Sequence, residues 1–375
     1  MSDHPQMPPP DQIPSDRVSM DPVSMDPASM DPEAMSQDRV APTMPLSSPP
    51  ADAPSPAAIP QAPQSQRQRM GAIRDEVNKV IVGQGGVLSG LLCAFLASGH
   101  VLLEGVPGTA KTALVKSLAA AVSLEAARVQ FTPDLMPSDV LGQMVFENGS
   151  FRFREGPVFT NLLLADEINR TPPKTQAALL EAMEERQVSI DGVPRLLPKP
   201  FMVIATQNPV EYEGTYPLPE AQLDRFLLKL IVDYPSEEDE FNILVRHHSG
   251  MDPHDPIGSG IRAVATAGSF AAAQGEVQAM TVEDPVLRYI VALVRATRSS
   301  PSLQLGVSPR GATALLAVSK AWAWLSGQPY VTPDEVKAMA KPTLRHRIQL
   351  RPELEIEGVT TDLVLDGILS QVHVQ

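Results

Sequence analysis

An α/β core built on a parallel sheet with helices on both faces, followed by a smaller all-helical unit, is the fold class this sequence predicts. Three observations predict it. Short apolar runs, "HVLLEG", "FTNLLLADE" and "FMVIATQN", alternate with helical stretches from Ile73 to about Tyr234, the pattern of α/β proteins. The first run passes through a glycine-containing turn directly into "KTALVKSLAAAV", a strand-turn-helix arrangement. Beyond Tyr234 the strand-like runs stop and helix start signals take over.

Taken in order, residues 1–68 hold 16 of the chain's 38 prolines and a five-residue repeat, "SMDPV", "SMDPA", "SMDPE". Such a segment buries too little apolar surface to offset its ordering entropy, so a disordered tail is expected. It is either a solvated, dispensable extension or a tether that binds a partner. Residues 69–234 are assigned to the α/β core and 235–375 to the helical unit. Ile81 to Leu103 carries no Asp, Glu, Lys or Arg, but Gly83, Gly85, Gly86, Gly90 and Gly99 interrupt it. A buried helix followed by a buried strand is expected there rather than a membrane span, with Cys93 in the core. "MVFENGSFRF" alternates apolar and polar residues around Asn148-Gly149, a dipeptide suited to a type I′ hairpin. In the C-terminal part, Asp284-Pro285 and Ser308-Pro309 mark helix starts, and "TPDE" at Thr332 is a capping box with proline at the first helical position.

Composition narrows the function classes. A formal charge of −14 repels a polyanion unless basic residues gather on one face, so nucleic acid is a disfavoured partner. One cysteine excludes an internal disulfide and a cysteine-based zinc site, which fits a reducing compartment. No basic region followed by an apolar stretch opens the chain, so no signal peptide is read and a cytoplasmic place is expected. His247, His248 and His346 lack the spaced carboxylates or thiols of a zinc site and carry no metal reading.

The chemistry concentrates in "GVPGTAKT". A turn after a strand points successive backbone N–H groups at phosphate oxygens, and the following helix N-terminus adds partial positive charge. Gly105 and Gly108 permit the turn, Lys111 reaches the β/γ-phosphates and the Thr112 hydroxyl takes Mg²⁺. Ala110 stands where the usual pattern has glycine; alanine is a good helix former, and no positive φ is expected of it. "LLLADE" ends a second strand in Asp166, a Mg²⁺ ligand, and Glu167, which polarises the attacking water; the alternative is a solvated turn or helix cap. "ATQN" brings Asn208 to the same sheet edge, where the alternative is a turn-forming residue before Pro209.

"GVPGTAKT", "LLLADEINR", "ATQNP", "LPEAQLDRF" and "GVSPRG", in this order, resemble the AAA+ ATPases, and specifically the MoxR group. Ala110 then looks like a family variant within an ATP-binding loop of Gly105, Gly108, Thr109, Ala110, Lys111 and Thr112. The resemblance implies further roles. Asn208 is the sensor 1 residue. Arg225 in "LDRF" is the arginine finger that reaches a neighbour's γ-phosphate. Arg310 in "SPRG" is sensor 2, coupling the lid to bound nucleotide. "IVGQ", with Val82 and Gly83, lines the adenine pocket. The alternatives are an Arg225–Asp224 surface ion pair and a helix-start role for Arg310. The Asn148-Gly149 hairpin and the stretch from Glu184 to Pro200 resemble elements that face the pore or a client. The resemblance also implies a homo-oligomeric ring, a hexamer, with ATP and Mg²⁺ at the subunit interfaces, protein clients, and a partner bearing a von Willebrand factor type A domain. A nucleotide-switched scaffold without turnover and a DNA-acting motor of the same superfamily are the competing functions.

Overall fold

The computed structural model describes residues 65–106, 108–208, 214–253 and 255–374; most of the expected tail, and Pro107, lie outside them. The chain enters through helix α1 (Gln66–Asn78), three residues earlier than the sequence assigned the core, because Ser65 and Gln68 form a reciprocal capping box. The charge-free segment divides as expected into α2 (Gly85–Leu96), buried from Val87 to Leu96, and strand β1 (Val101–Gly105). Cys93 is fully buried within α2. The core continues through α3 (Lys111–Val122), β2 (Ala126–Gln130), α4 (Pro137–Leu141), β3 (Gly142–Glu147), β4 (Ser150–Glu155), β5 (Leu162–Asp166) and α5 (Pro173–Glu185). It then runs through β6 (Gln187–Ile190), β7 (Val193–Leu196), β8 (Met202–Gln207), α6 (Glu220–Leu223) and β9 (Leu228–Val232).

Five strands form one sheet in the order β2-β5-β8-β1-β9, and every neighbouring pair is parallel. Side chains alternate across it. Val101 and Leu103, Leu162 and Leu164, Met202 and Ile204 face one apolar cluster, while Leu102, Leu163, Ala165, Val203 and Ala205 face a second with α5. Burial on both faces is why these strands read as continuous apolar runs. The two outer strands, β2 and β9, were not among the runs the sequence singled out. In β2 only Val129 is buried.

Both hairpins stand apart from this sheet. β3 pairs antiparallel with β4, and Asn148 and Gly149 have φ of 51° and 79°, the double positive φ of the expected type I′ turn. β6 pairs with β7 around Asp191 and Gly192, with φ of 52° and 76°.

The C-terminal part contains α7 (Glu237–His248), α8 (Ala267–Gln278), α9 (Asp284–Ser299), α10 (Pro309–Leu325), α11 (Pro333–Leu344), α12 (Pro352–Ile356) and α13 (Thr361–Gln371). Ser308 caps α10 and Thr332 caps α11, each with proline in the first turn. It is not purely helical, since β10 (Leu303–Leu305) and β11 (Gln349–Leu350) make a short antiparallel ladder. The same apolar cluster runs from α1, α2 and α3 through α8, α9, α10 and α11, so the helical lid shares its core with one face of the sheet. No described helix is long and apolar enough to cross a membrane.

Candidate nucleotide site

In a parallel sheet the carboxyl ends of the strands open a crevice where the strand order reverses. Here β1 lies between β8 and β9, and a cleft of about 570 Å³ opens beside it, lined by Gly108 to Ala113, Asp166, Glu167, Thr206, Gln207 and Asn208. Val82, Pro235 and Ile243 add apolar lining, with the Gln84 amide beside them. Lys111, Thr112, Asp166, Glu167 and Asn208, all expected at the site, are therefore brought together.

The loop does so with two strained or special positions. Gly108 has φ of +84°, and a Cβ there would meet no atom within 4 Å, so the backbone can adopt a conformation that glycine tolerates and leaves its face open. Ala110 corrects the sequence expectation: its φ is 59° and ψ 22°, left-handed, as the N-cap of α3. A methyl group in that region costs roughly 1–2 kcal/mol. The loop turn imposes that conformation, and because Ala110 is exposed its Cβ has no packing to satisfy. Gly105 acts differently from expectation. It does not line the cleft, and a Cβ on it would lie 2.4 Å from the Val232 carbonyl oxygen of β9, so it is glycine because two strands pass closely. Gly83, also absent from the lining, has φ of +75° and serves the turn that places Val82 and Gln84.

Lys111 donates to the Val106 carbonyl at 3.1 Å. Burial lowers its pKa, against the opposing pull of Asp166, Glu167 and Glu104. The Thr112 hydroxyl donates to Asp166 Oδ2 at 3.4 Å. Thr206, buried on β8, donates its hydroxyl to Asp166 Oδ1 at 3.1 Å and accepts the Glu167 N–H at 2.9 Å. That second bond holds Glu167 in a left-handed conformation, φ 57° and ψ 50°. From β2, Arg128 pairs with Asp166 at 2.6 Å and Gln130 donates to Glu167 Oε2 at 2.7 Å. Arg170 also pairs with Glu167, at 2.8 Å. Thr206, Arg128 and Gln130 went unnoticed in the sequence; the period-2 register of β2 and β8 against β5 is the signal that finds them.

A hydroxyl and a carboxylate side by side are hard oxygen donors suited to Mg²⁺. With Lys111 and the open face of Gly108 beside them, the residues fit a magnesium-bound polyphosphate.

The two arginines are elsewhere. Neither Arg225 nor Arg310 lines the cleft; both line a separate pocket of about 290 Å³ with Glu184, Arg186, Asp224 and Arg347. Arg225 Nε and Arg310 Nη1 each lie 3.0 Å from a different oxygen of Glu184. Arg310, expected to couple the lid to bound nucleotide, stands at the start of α10 against Glu184, and Ser308, the cap of the same helix, bonds Asp224. Arg225 does not pair with Asp224, whose carboxylate is taken by Arg347 at 2.7 Å and by the Ser308 hydroxyl at 3.2 Å. His346 is buried and bonded to the Phe226 carbonyl, and His247 and His248 are exposed. Among the described residues no group of three His, Cys, Asp or Glu side chains forms a metal cluster.

A P-loop, a strand ending in Asp-Glu and a helical lid define a class. The family described as ATPase family associated with various cellular activities (AAA) matches residues 100–228, and the AAA lid domain family matches residues 295–368. Chaperone MoxR1 of Mycobacterium tuberculosis is 41% identical over 308 residues, spanning 79% of this chain and 80% of its own. Protein MoxR of Paracoccus denitrificans is 34% identical over 302 residues, 74% of this chain and 88% of its own. Uncharacterized protein YeaC of Bacillus subtilis is 48% identical over 81% of this chain and 94% of its own. A crystal structure from Cytophaga hutchinsonii superposes with a TM-score of 0.76 at 40% identity, covering 83% of this chain and 96% of that one. The chain belongs to the MoxR family of AAA+ ATPases.

Proposed function

We propose that the protein hydrolyses ATP with Mg²⁺ as part of a homo-oligomeric ring, and that turnover drives remodelling of protein clients. One observation carries this reading: Lys111, Thr112, Asp166, Glu167 and Asn208 come from three segments distant in sequence and line one cleft. Lys111 exchanges its loop carbonyls for β/γ-phosphate oxygens, and Thr112 with Asp166 would hold the metal. Bound Mg²⁺ supplies neutralisation of phosphate charge. Glu167, fixed by Thr206 and Gln130, accepts a hydrogen bond from the attacking water and orients it, assisted by Asn208. Val82 and Ile243 receive the adenine.

Because Arg225 and Arg310 lie together outside the cleft, they serve a nucleotide on an adjacent subunit, where guanidinium groups stabilise charge on the transferring phosphoryl. This requires a ring or at least a dimer, and a hexameric ring is the form proposed. The hairpins present exposed Phe146, Phe151 and Leu196, which suit contact with a protein client or with a partner bearing a von Willebrand factor type A domain.

The test is phosphate release from Mg²⁺-ATP across a protein-concentration series, beside Glu167→Gln. Turnover per subunit that rises with concentration and is lost in the variant, with ATP still bound, is the expected result. Bound ATP with no turnover in either protein at any concentration would replace this reading with a nucleotide-switched scaffold, and salt-sensitive binding of single-stranded DNA would replace the client.

A further inference from the structure

Glu184 is the penultimate residue of α5 and has no place in the nucleotide cleft, yet two arginines from different parts of the fold meet on it. Arg225 follows α6 in the core, and Arg310 opens α10 in the lid; each takes one oxygen of the same carboxylate at 3.0 Å. The pocket they line contains four guanidiniums, from Arg186, Arg225, Arg310 and Arg347, against two carboxylates, Glu184 and Asp224. Asp224 is occupied by the buried Arg347, and Arg186 donates to the Ser98 carbonyl at 2.6 Å. Glu184 is therefore the counter-ion that allows Arg225 and Arg310 to stand side by side. The three side chains are 38%, 30% and 47% exposed, respectively, and ion pairs so hydrated contribute little to stability. Their geometry is the more informative feature.

The end of the helix that carries Glu184 is itself held, one residue before it. His100, fully buried, accepts the Val203 N–H on Nδ1 at 3.0 Å, which leaves Nε2 to donate to the Met183 carbonyl at 3.1 Å. The end of α5 is thereby tied to β8, the strand that leads to Asn208.

We propose that Glu184 is the positioning residue for Arg225 and Arg310, setting core and lid guanidiniums as one unit before they meet the phosphates of a nucleotide on a second copy of this chain. This rests on the reading that the two arginines act on a neighbour. Without the carboxylate the two like charges move apart, and misplacement of groups by about an ångström can cost up to 10²-fold in rate.

The experiment compares Glu184→Ala, Glu184→Asp, Arg225→Ala and Glu167→Gln, alone and mixed. Glu184→Ala is expected to lower kcat about tenfold or more, with nucleotide affinity and melting temperature unchanged, and Glu184→Asp to recover part of the loss. Mixing Glu184→Ala with Glu167→Gln subunits is expected to restore turnover, since the first supplies intact clefts and the second intact arginine units. Unchanged kcat in Glu184→Ala overturns the proposal. So does a kcat loss that mixing does not rescue, if Arg225→Ala mixed with Glu167→Gln is rescued. Failure of that Arg225→Ala control instead refutes the action of the arginines on a neighbour.

Discussion

Thr206 offers the sharpest test of how the site is held. Thr206→Val keeps volume and β-branching on a strand and removes one oxygen. That oxygen is 3.1 Å from Asp166 Oδ1 and 2.9 Å from the Glu167 N–H, in a side chain only 2% exposed. A hydrogen bond to a charged group contributes about 1.5–3 kcal/mol and an orphaned donor costs about 1–3 kcal/mol. Arg128 and Thr112 still serve Asp166, so the expected destabilisation is about 2–3 kcal/mol. Glu167 suffers more than the fold does, because its left-handed backbone, φ 57°, loses the bond that fixes it. Turnover should fall about 10- to 100-fold, the range for a catalytic group displaced by an ångström or less. Urea unfolding and phosphate release at saturating ATP read the two effects, and Thr206→Ser, which retains the hydroxyl, should restore most of both. A valine variant within about 0.5 kcal/mol of the parent and with full turnover would refute the reasoning.

Arg347→Leu should destabilise the protein by about 3 kcal/mol or more in chemical unfolding, because this buried guanidinium satisfies Asp224, Phe226 and Leu227 at once; Arg347→Lys should not rescue it, lacking the planar fork. Gly105→Ala should cost about 1–3 kcal/mol by the same measurement, since the added methyl meets the Val232 carbonyl at 2.4 Å. Burial lowers the His100 pKa to about 4, against an ordinary 6.5. The unfolded chain binds that proton first, so the stability His100 contributes is complete above about pH 6.5 and falls toward pH 4, by up to about 3 kcal/mol. Unfolding curves that are flat between those limits would contradict the buried, neutral assignment.

The nucleotide loop was legible because its residues are contiguous and their chemistry depends on spacing along the chain. The hairpin at Asn148-Gly149 and the caps at Ser308 and Thr332 were legible for the same local reason. What escaped depends on register between distant strands. Arg128 and Gln130 sit on an edge strand with one buried residue, so neither apolar pattern nor motif marks them, and Thr206 reads as one more β-branched strand residue. The position of Arg310 relative to the cleft depends on how lid packs on core, and that of Arg225 on where the turn after α6 falls in the core, neither of which a local pattern encodes. Ala110 misled because helix propensity describes positions inside a helix, and this one is a left-handed cap.

Cys93 has a practical consequence. It is the sole thiol of the chain, fully buried, and desolvation pushes its pKa up to about 12. A thiolate-directed reagent cannot reach it through any surface fluctuation and must wait for α2 to leave the sheet. The rate at which native protein is alkylated therefore reads the free energy of opening the shared core of sheet and lid, a built-in gauge that needs no added label and can be followed through nucleotide addition and subunit dilution.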